Sequence, residues 1–457
     1  MQQNKLGVMP IQKLIWNMSL PIIASMLVQA LYNIVDSIFV SWVSEQALTA
    51  VSLAFPAQQL MISLSAGTAV GINALLGRAL GAGKQDRANE VARNGLFLAV
   101  ASSVVCCVLA LLFSNLFFSS QTTVQSIIDQ GNDYLLIVCC GSLGLFLQVT
   151  FERLLQSTGR SILSMFTQGT GAIVNIILDP ICIFVLDMGV AGAALATIIG
   201  QFCGAGLAIY LNHKKNPEIH LNFRGFRPNW RLIGSIYAIG LPSVLMMAIG
   251  SVMVFLMNKI LISLHEAKET AATVFGAYFK LNSLIFMPVF GLNNGVVAIV
   301  AYNYGAGNRR RMVSAIKFST LYATCIMCIG TILFHAIPDV LLKIFNASDT
   351  MLKVGVPALR IISLSFPAAA ICIAISGAFQ AVGKSIYSLV VSVIRQLVFL
   401  VPIALVLAYI GRDTGSHNLV WWAFPIAELS SIIVTAVCFR RMKRTVLSQV
   451  PDGAPHI

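Results

Sequence analysis

The chain of 457 residues is apolar and basic: 57% of its residues are hydrophobic, and 30 Lys and Arg against 17 Asp and Glu give a formal net charge of +13. Charged residues make up 10% of the chain, whereas a soluble domain carries about 25%. This composition excludes a sizeable soluble domain and indicates a polytopic membrane protein. The excess of positive charge then reports membrane topology, and we expect no nucleic-acid partner.

Apolar runs of about 20 residues, long enough to cross a bilayer as a helix, recur along the whole chain. They predict an all-α membrane protein with about twelve transmembrane helices. The predicted spans are 14–43, 49–76, 93–117, 126–157, 162–186, 190–211, 233–263, 271–301, 315–336, 351–381, 386–410 and 420–440.

Basic residues are unevenly divided between the loops that join these spans. Most of the 30 Lys and Arg fall in the loops of one side, whereas the alternate loops hold Lys268, Lys343, Lys353 and Arg412. Because cytoplasmic loops are enriched in Lys and Arg, both termini are predicted to be cytoplasmic. We expect a multi-pass protein of the cell membrane, plasma or inner.

Four landmarks of the first half recur in the second half at nearly constant spacing. Each half holds six spans, so both enter the membrane in the same direction and are predicted to form two six-helix lobes related by a pseudo-two-fold axis. Such lobes place a substrate cavity at their shared interface. The predicted units are a first lobe at 1–211, a cytoplasmic linker at 212–232, a second lobe at 233–444 and a cytoplasmic tail at 445–457. The paired landmarks are Pro21 and Pro242, Gly81 and Gly305, Gln156 and Gln380, and Pro180 and Pro402.

An acidic residue lies within the fifth predicted span, in the sequence GAIVNIILDPICIF. Asn175 and Asp179 are four residues apart and therefore share one face of a helix, and Pro180 loosens the turn before it. A carboxylate at membrane depth costs roughly 2.5–3.5 kcal/mol, which a bound cation, a proton or a partner must compensate. The alternative is an Asp at a helix end whose side chain reaches the membrane interface.

Other polar residues of the first half could meet this pair. In the first span, Gln29, Tyr32 and Asp36 are spaced so that they form a polar stripe along one face of a helix. Such a stripe can face an aqueous cavity, but it can also serve helix packing. Glu152 lies near the cytoplasmic end of its span, so a local ion pair is the alternative to a transport role. Thr197 could instead bond to its own helix backbone. Together, these carboxylates with amide and hydroxyl oxygens predict either a hard-cation site or a coupled proton relay.

The ionisable residues of the two halves differ. Val401 stands where the repeat matches Asp179, and no acid matches Asp36. The last two spans contain Arg395 and Glu428. Either these two residues form an ion pair, or Glu428 is a separate functional acid. The coupling chemistry is therefore predicted in the first lobe.

The interface between the lobes is predicted to hold the substrate cavity. Aromatic and polar residues that interrupt the apolar spans are its candidate lining, since aromatic faces suit organic cations. Lys280 either projects into this cavity or pairs with a helix-end carbonyl. Asn293 and Asn294, which lie between two glycines, predict a locally broken helix. The predicted substrate-binding residues are Gln29, Tyr32, Gln148, Phe151, Lys280, Met287 and Asn293.

The chain resembles the multidrug and toxic compound extrusion (MATE) family. The resemblance rests on the run from Asn175 to Pro180, on Asp36, on the repeat of six spans and on the Gly-Ala-Gly turns, and it covers essentially the whole chain. The run 276–295 is similar to the branch that contains small Gram-positive multidrug pumps. The resemblance implies a V-shaped fold of two lobes and a cation-coupled antiporter without a cofactor.

The resemblance also implies a coupling site. In family members whose site lies in the first lobe, the positions that match Asp36, Asn175, Asp179 and Thr197 form it. These four residues are the expected ligands if the coupling ion is Na⁺, and Glu152 is a further candidate for cation or proton coupling.

The sequence therefore predicts a transporter, not an enzyme, that exports amphipathic, cationic drugs or toxic compounds while Na⁺ or H⁺ enters. A lipid or oligosaccharide flippase of the same superfamily is the alternative and would have a more cationic cavity. An intramembrane enzyme would need an acidic metal cluster such as DDxxD, and Asp36 and Asp179 are too far apart in sequence to form one. Since the chain has no G-x-x-x-x-G-K-[ST] motif, an ion gradient is the expected energy source. We expect a monomer in the lipid bilayer, with small molecules as its other partners.

Overall fold

The computed structural model describes residues 4–262, 268–344, 347–414 and 417–452, and this part of the chain is almost entirely helical. Ten helices in it are long and apolar enough to cross a membrane. Two further pairs of shorter helices are long and apolar enough only when each pair is taken together, and counting each bent pair as one span gives up to twelve spans. The prediction of an all-α membrane protein with about twelve spans is confirmed. The side chains of Lys268 and Arg412, and the tail beyond Asp452, lie outside the described residues.

The first half contains eight helices, and a short π-helical turn follows the seventh. The helices are α1 (Lys5–Val8), α2 (Ile11–Val43), α3 (Glu45–Gly81), α4 (Gln85–Ser119), α5 (Gln125–Cys140), α6 (Leu143–Ser157), α7 (Ser161–Pro180), the π turn (Ile181–Val185) and α8 (Gly189–Lys215).

The second half repeats this order after an irregular stretch at 216–229. Its helices are α9 (Trp230–Ile262), α10 (Lys268–Gly305), α11 (Arg309–Ala336), α12 (Pro338–Lys343), α13 (Asp349–Ser363), α14 (Phe366–Ala381), α15 (Ser385–Val393), a π-helical stretch (Ile394–Leu400), α16 (Val401–Thr414), a 3₁₀ turn (His417–Trp422), α17 (Ala423–Thr445) and a last 3₁₀ turn (Leu447–Gln449).

The two bent spans occupy matching places in the two halves. Helices α5 and α6 meet at an angle of 42°, and α13 and α14 meet at 46°. Gly141 ends α5, and Pro367 lies in the first turn of α14. Because proline has no N–H to donate and glycine weakens a helix, both sequences favour a break where the structure has one.

The two halves pack through two helix pairs that the pseudo-two-fold axis exchanges: α2 with α10, and α9 with α3. A small residue stands at each contact. A methyl group on Gly67 or Gly71 of α3 would overlap α9, and one on Gly291 or Gly295 of α10 would overlap α2. Such small-xxx-small pairs let two helix backbones approach closely, which is how helices associate in lipid.

The predicted break at Asn293 and Asn294 is wrong. Helix α10 runs without interruption from Lys268 to Gly305. The flanking glycines instead provide room for α2, since Gly291 contacts Ile23. Glycine pairs in a membrane span can mean either a break or a close crossing, and here they mark a crossing.

The described termini and the irregular stretch 216–229 lie on one side of the molecule, which we call the linker side. The side chain of Asn4 donates a hydrogen bond of 2.6 Å to Glu218, and the N–H of Arg309 donates one of 3.1 Å to the carbonyl of Pro451. Arg311 holds the carbonyl oxygens of Leu6 and Met9 at 3.1 and 2.7 Å. Both ends of the described chain therefore lie on the same side as the connection between the halves.

The lobes also touch where α3 and α10 end on the linker side. The backbone of Gly81 lies against the carbonyl group of Tyr302, and the backbone of Gly305 lies against the carbonyl group of Arg78. The guanidinium of Arg78 stands 4.6 Å from the ring centroid of Tyr304. These contacts close the linker side, whereas polar residues towards the other end of α2, such as Asn33 and Ser37, are exposed.

Candidate functional site

The polar centre of the first lobe lies where α2, α7 and α8 pack together. Asp179 is fully buried and Asn175 is 2% exposed, so the two residues predicted to share a helix face turn that face inward. The side-chain amide of Asn175 donates hydrogen bonds to Asp179 Oδ1 at 3.2 Å and to Thr197 Oγ1 at 3.3 Å. The side chain of Asp179 therefore faces the packed helices and not the surface of the protein.

Thr197 reaches this centre because α7 and α8 cross closely about one helical turn away, at Gly171 and Gly200. A methyl group on Gly200 would stand 2.6 Å from the carbonyl oxygen of Gly171, so a larger residue would separate the two helices. Thr197 also donates a 3.0 Å hydrogen bond to the carbonyl of Ala193 in its own helix. Both expectations for Thr197 therefore hold together: it bonds to its backbone, and its oxygen still faces Asn175.

Asp36 completes the centre from α2. It is half-buried and lies close enough to Asp179 for the two carboxyl groups to interact electrostatically. Within the described part of the chain, Asp36 Oδ1, Asn175 Oδ1 and Asp179 Oδ2 are buried and accept no hydrogen bond. Buried polar atoms in proteins are almost always satisfied, so three open oxygens in one place call for a proton, a cation or a ligand donor.

Tyrosine and glutamine side chains surround the two carboxyl groups. Tyr32 hydrogen-bonds Gln29, and Gln29 accepts a 2.9 Å hydrogen bond from Gln168. Tyr134 from α5 is buried, lies within electrostatic range of Asp36, Tyr32 and Asp179, and donates a 3.5 Å hydrogen bond to Gln58.

Three of these residues were missed from the sequence. Gln168 stands seven residues before Asn175, two turns away on the same face of α7, and this spacing could have identified it. Nothing in the sequence around Tyr134 or Gln58 signals their contribution, because both come from helices that reach the centre only through tertiary packing.

Glu152 belongs to a neighbouring polar group between α6 and α7. It is 8% exposed, and its Oε1 accepts hydrogen bonds from Gln148 and from Thr167, each at 3.0 Å. Arg153 donates a 2.7 Å hydrogen bond to Gln156 and interacts with Glu152 only electrostatically, so the hydrogen-bond partners of Glu152 are neutral groups. Gln148 thus bonds to an acid of the first lobe, and its predicted contact with substrate stays a prediction.

The four remaining predicted cavity residues lie in different places. Met287 shares a face of α10 with Gly291 and Gly295, the glycines that contact α2, so it stands beside the crossing of the two lobes. Asn293 points towards α14, where its amide oxygen packs against Gly377. Phe151 is buried beside α4 and the irregular stretch 216–229. The side chain of Lys280 is exposed.

The second lobe holds a partly buried ion pair. Arg395 donates a 3.1 Å hydrogen bond to Glu428 Oε1, with Tyr278 close enough to interact electrostatically with both. Of the two alternatives for Glu428, the structure supports the partnership with Arg395. An internal guanidinium thus neutralises this acid, whereas no such cation pairs with Asp36 or Asp179 among the described residues.

Comparisons with known proteins agree with this architecture. The model of the MatE family matches the chain twice, at residues 21–181 and 242–406, once in each half. A probable multidrug resistance protein NorM from Thermotoga maritima is 26% identical over 408 residues, which cover 87% of this chain and 86% of the relative. The multidrug export protein MepA of Staphylococcus aureus is 24% identical and covers 92% of this chain and 91% of its own.

A relative of equal similarity has a different name. A FAD transporter from Shewanella oneidensis is 25% identical over 455 residues, which cover 97% of both chains. Among solved structures, the outward-facing conformation of a multidrug resistance MATE family transporter is similar with a TM-score of 0.90 at 25% identity, covering 98% of this chain and 99% of that one. Since the family model matches both halves and this transporter superposes over nearly the whole chain, the chain belongs to the MATE family of membrane transporters.

Proposed function

We propose that this transporter exports amphipathic organic cations and that the inward movement of Na⁺ or H⁺ through the first lobe drives the export. The observation that carries the proposal is the set of three open oxygens on Asp36, Asn175 and Asp179. Carboxylate, amide and hydroxyl oxygens are ligands that suit a hard cation. The same two carboxyl groups suit a proton, because two close carboxylates cannot both ionise easily.

The proposed cycle follows from the charge of this centre. When the pair of Asp36 and Asp179 carries negative charge, the first lobe attracts a cationic substrate into the cavity. A proton or Na⁺ that enters from the side opposite the linker side neutralises the same charge and weakens that attraction. Substrate and coupling ion then compete for one site, and each releases the other.

Aromatic packing connects the polar centre to the end of α2 that lies away from the linker side. Phe184 in the π turn after Asp179 stands 6.4 Å from the ring of Phe39 and 6.5 Å from the ring of Trp42. π-helical turns are frequent at functional sites, because they are less tightly bonded than an α-helix. We propose that neutralisation at Asp179 moves this turn and, through the aromatic rings, the segment of α2 that carries Asp36.

Two features support an organic cation as the substrate. The relatives NorM and MepA are named for multidrug resistance and multidrug export. In this chain, Tyr32 and Tyr134 stand beside the two carboxyl groups, and an aromatic ring with a nearby carboxylate stabilises an organic cation by roughly 0.5–2 kcal/mol per ring.

A gradient assay tests this proposal. The purified chain would be reconstituted in vesicles, and transport of ethidium would be followed by fluorescence under an imposed pH gradient, a Na⁺ gradient, or neither. We expect ethidium to move against its own gradient in at least one of the first two conditions. Movement at the same rate in all three would contradict cation coupling.

We propose that the linker side faces the cytoplasm, since its loops hold most of the basic residues. The proposed units are a first lobe at 1–211, a linker at 212–232, a second lobe at 233–444 and a tail at 445–457, although α8 extends four residues into this linker. We also propose that the monomer transports, because one chain supplies both lobes and the cavity between them.

Single cysteines introduced on a cysteine-free background would test this orientation. Cysteines at Arg224 and Arg310, both exposed on the linker side, are expected to react with an impermeant maleimide only after the cell is opened. A cysteine at the exposed Lys343 is expected to react in intact cells. The reverse pattern would show that the proposed orientation is wrong.

Truncation of the cavity residues tests where the substrate binds. Single alanine variants of Tyr32, Gln29, Met287 and Asn293 are expected to change the relative efflux of several cationic dyes by about two- to thirtyfold, because each removes one contact of roughly 0.5–2 kcal/mol. Efflux by each variant would be divided by its amount in the membrane. Unchanged preference in all four variants would place the substrate elsewhere.

A further inference from the structure

An apolar cleft of about 380 Å³ opens between α4, α6 and the stretch 216–229. Phe97 and Val100 line it from α4, Phe151 lines it from α6, and Phe223 and Phe226 line it from the linker. Its volume lies within the range of small-molecule sites, but its walls offer almost no polar group to orient a drug. The cleft therefore suits a hydrocarbon chain better than a polar compound.

The linker is folded to present its aromatic residues to this cleft. The N–H of Phe226 donates a 3.1 Å hydrogen bond to the carbonyl of Phe223, and Gly225 between them has a φ of +68°. The ring centroid of Phe226 lies 6.2 Å from that of Phe97 and 5.9 Å from that of Phe223. Phe223 nevertheless remains half exposed. A tight turn thus holds an aromatic side chain against the open side of the cleft.

Three arginines stand close in sequence to residues that line the cleft. Arg93 stands four residues before Phe97 on the same face of α4, and it donates a 3.0 Å hydrogen bond to the carbonyl of Asn222. Arg224 and Arg227 directly follow the two linker phenylalanines and are exposed. None of the three forms an ion pair within the described residues.

Glu90, an acid three residues before Arg93 in α4, already has partners. It pairs with Arg87 at 2.8 Å and accepts a 2.6 Å hydrogen bond from Asn229, while Arg93 interacts with it only electrostatically. The arginines at the cleft therefore keep positive charge available for a ligand.

We propose that this cleft binds an anionic phospholipid of the leaflet on the linker side. One acyl chain fills the apolar cleft, and the phosphate group meets the arginines at positions 93, 224 and 227. Basic clusters at the membrane surface attract anionic lipid head groups, and an apolar slot next to them fixes one lipid in place. The bound lipid would tie the linker, which joins the two lobes, to α4 and α6 of the first lobe.

Native mass spectrometry of the purified full-length chain tests this site, with phosphatidylglycerol or phosphatidylcholine added to delipidated protein. We expect phosphatidylglycerol to be retained about fivefold better, the factor that a single basic residue near an anionic surface typically contributes. Val100→Trp, which fills the cleft, should abolish this retention. Val104→Trp is the matched control, since Val104 is one turn further along α4, is also exposed and does not line the cleft.

The charge of the head-group site is tested separately. Arg224→Gln with Arg227→Gln should reduce the preference for phosphatidylglycerol, whereas Arg440→Gln with Arg441→Gln, which removes the same charge from the end of α17, should leave the preference unchanged. Retention in Val100→Trp equal to that in Val104→Trp would overturn the proposal. So would displacement of the lipid by ethidium in the wild type, because the cleft would then be a substrate site. Lipid retention is measured without transport, so the result does not depend on the proposed function.

Discussion

Replacing Asp36 by Asn is expected to reduce the rate of gradient-driven efflux by roughly tenfold or more. This reduction corresponds to an increase of about 1.4 kcal/mol or more in the activation free energy of transport. An amide cannot take up a proton, and it supplies no charge to hold a cation. The variant should still fold, because a neutral amide is cheaper to bury in a membrane than a carboxylate. Asp179→Asn should have the same effect for the same reason.

The double variant separates a coupling unit from two independent residues. If Asp36 and Asp179 act together, changing both should cost little more than changing either, because residues that act as a unit are not additive. Efflux and the amount of protein in the membrane would be measured in parallel. Multiplication of the two single effects would show that each residue acts alone.

Asp187→Asn is a matched control for this experiment. Asp187 is exposed and follows the same π turn, and its φ of +52° is one that Asn tolerates well. The control removes an equal charge close to Asp179 without touching the buried centre, so it should transport normally. Wild-type efflux in either Asp36→Asn or Asp179→Asn would eliminate this centre as the coupler, and Glu152 would be the next acid to test.

Local features of the site were predictable from the sequence, whereas its long-range partners were not. The spacing of Asn175 and Asp179 defines one helix face, and the structure buries that face. The approach of Thr197 depends on the close crossing at Gly171 and Gly200, which spacing alone does not reveal. Tyr134 comes from a different helix, and its own sequence does not indicate a contact with Asp36, so only the packing of α5 shows that it belongs to the site.

The fold was predictable for a similar reason. Apolar runs and a repeat can be recognised directly in the order of the residues. The predictions of about twelve spans and of two repeated halves are confirmed. The prediction of a transporter, and not an enzyme, is confirmed by the family to which the chain belongs. The error at Asn293 and Asn294 arose because a glycine pair has two meanings in a membrane helix. Only the position of α2 against Gly291 and Gly295 distinguishes them.

Gly81→Ala is expected to prevent the lobes from closing on the linker side. The new methyl group would overlap the carbonyl of Tyr302 in α10, and Gly305→Ala would overlap the carbonyl of Arg78 in α3. A side chain could turn aside, but these neighbours are backbone atoms, so the two helices must separate. Since alternating access requires that this side closes in part of the cycle, efflux should fall by roughly tenfold or more.

Spin labels on cysteines at Lys84 and Arg310 would measure the separation directly, because both residues are exposed just beyond the two helix ends. The distance between the labels should increase in Gly81→Ala. Gly234→Ala is the control: Gly234 lies in α9, nothing stands within 4 Å of the added methyl group, and Ala stabilises an exposed helix by about 0.5–1 kcal/mol relative to Gly. An unchanged distance in Gly81→Ala, with efflux equal to that of Gly234→Ala, would show that the α3–α10 contact does not control closure. A longer distance together with lost efflux would place the closing contact of the cycle at these two glycines.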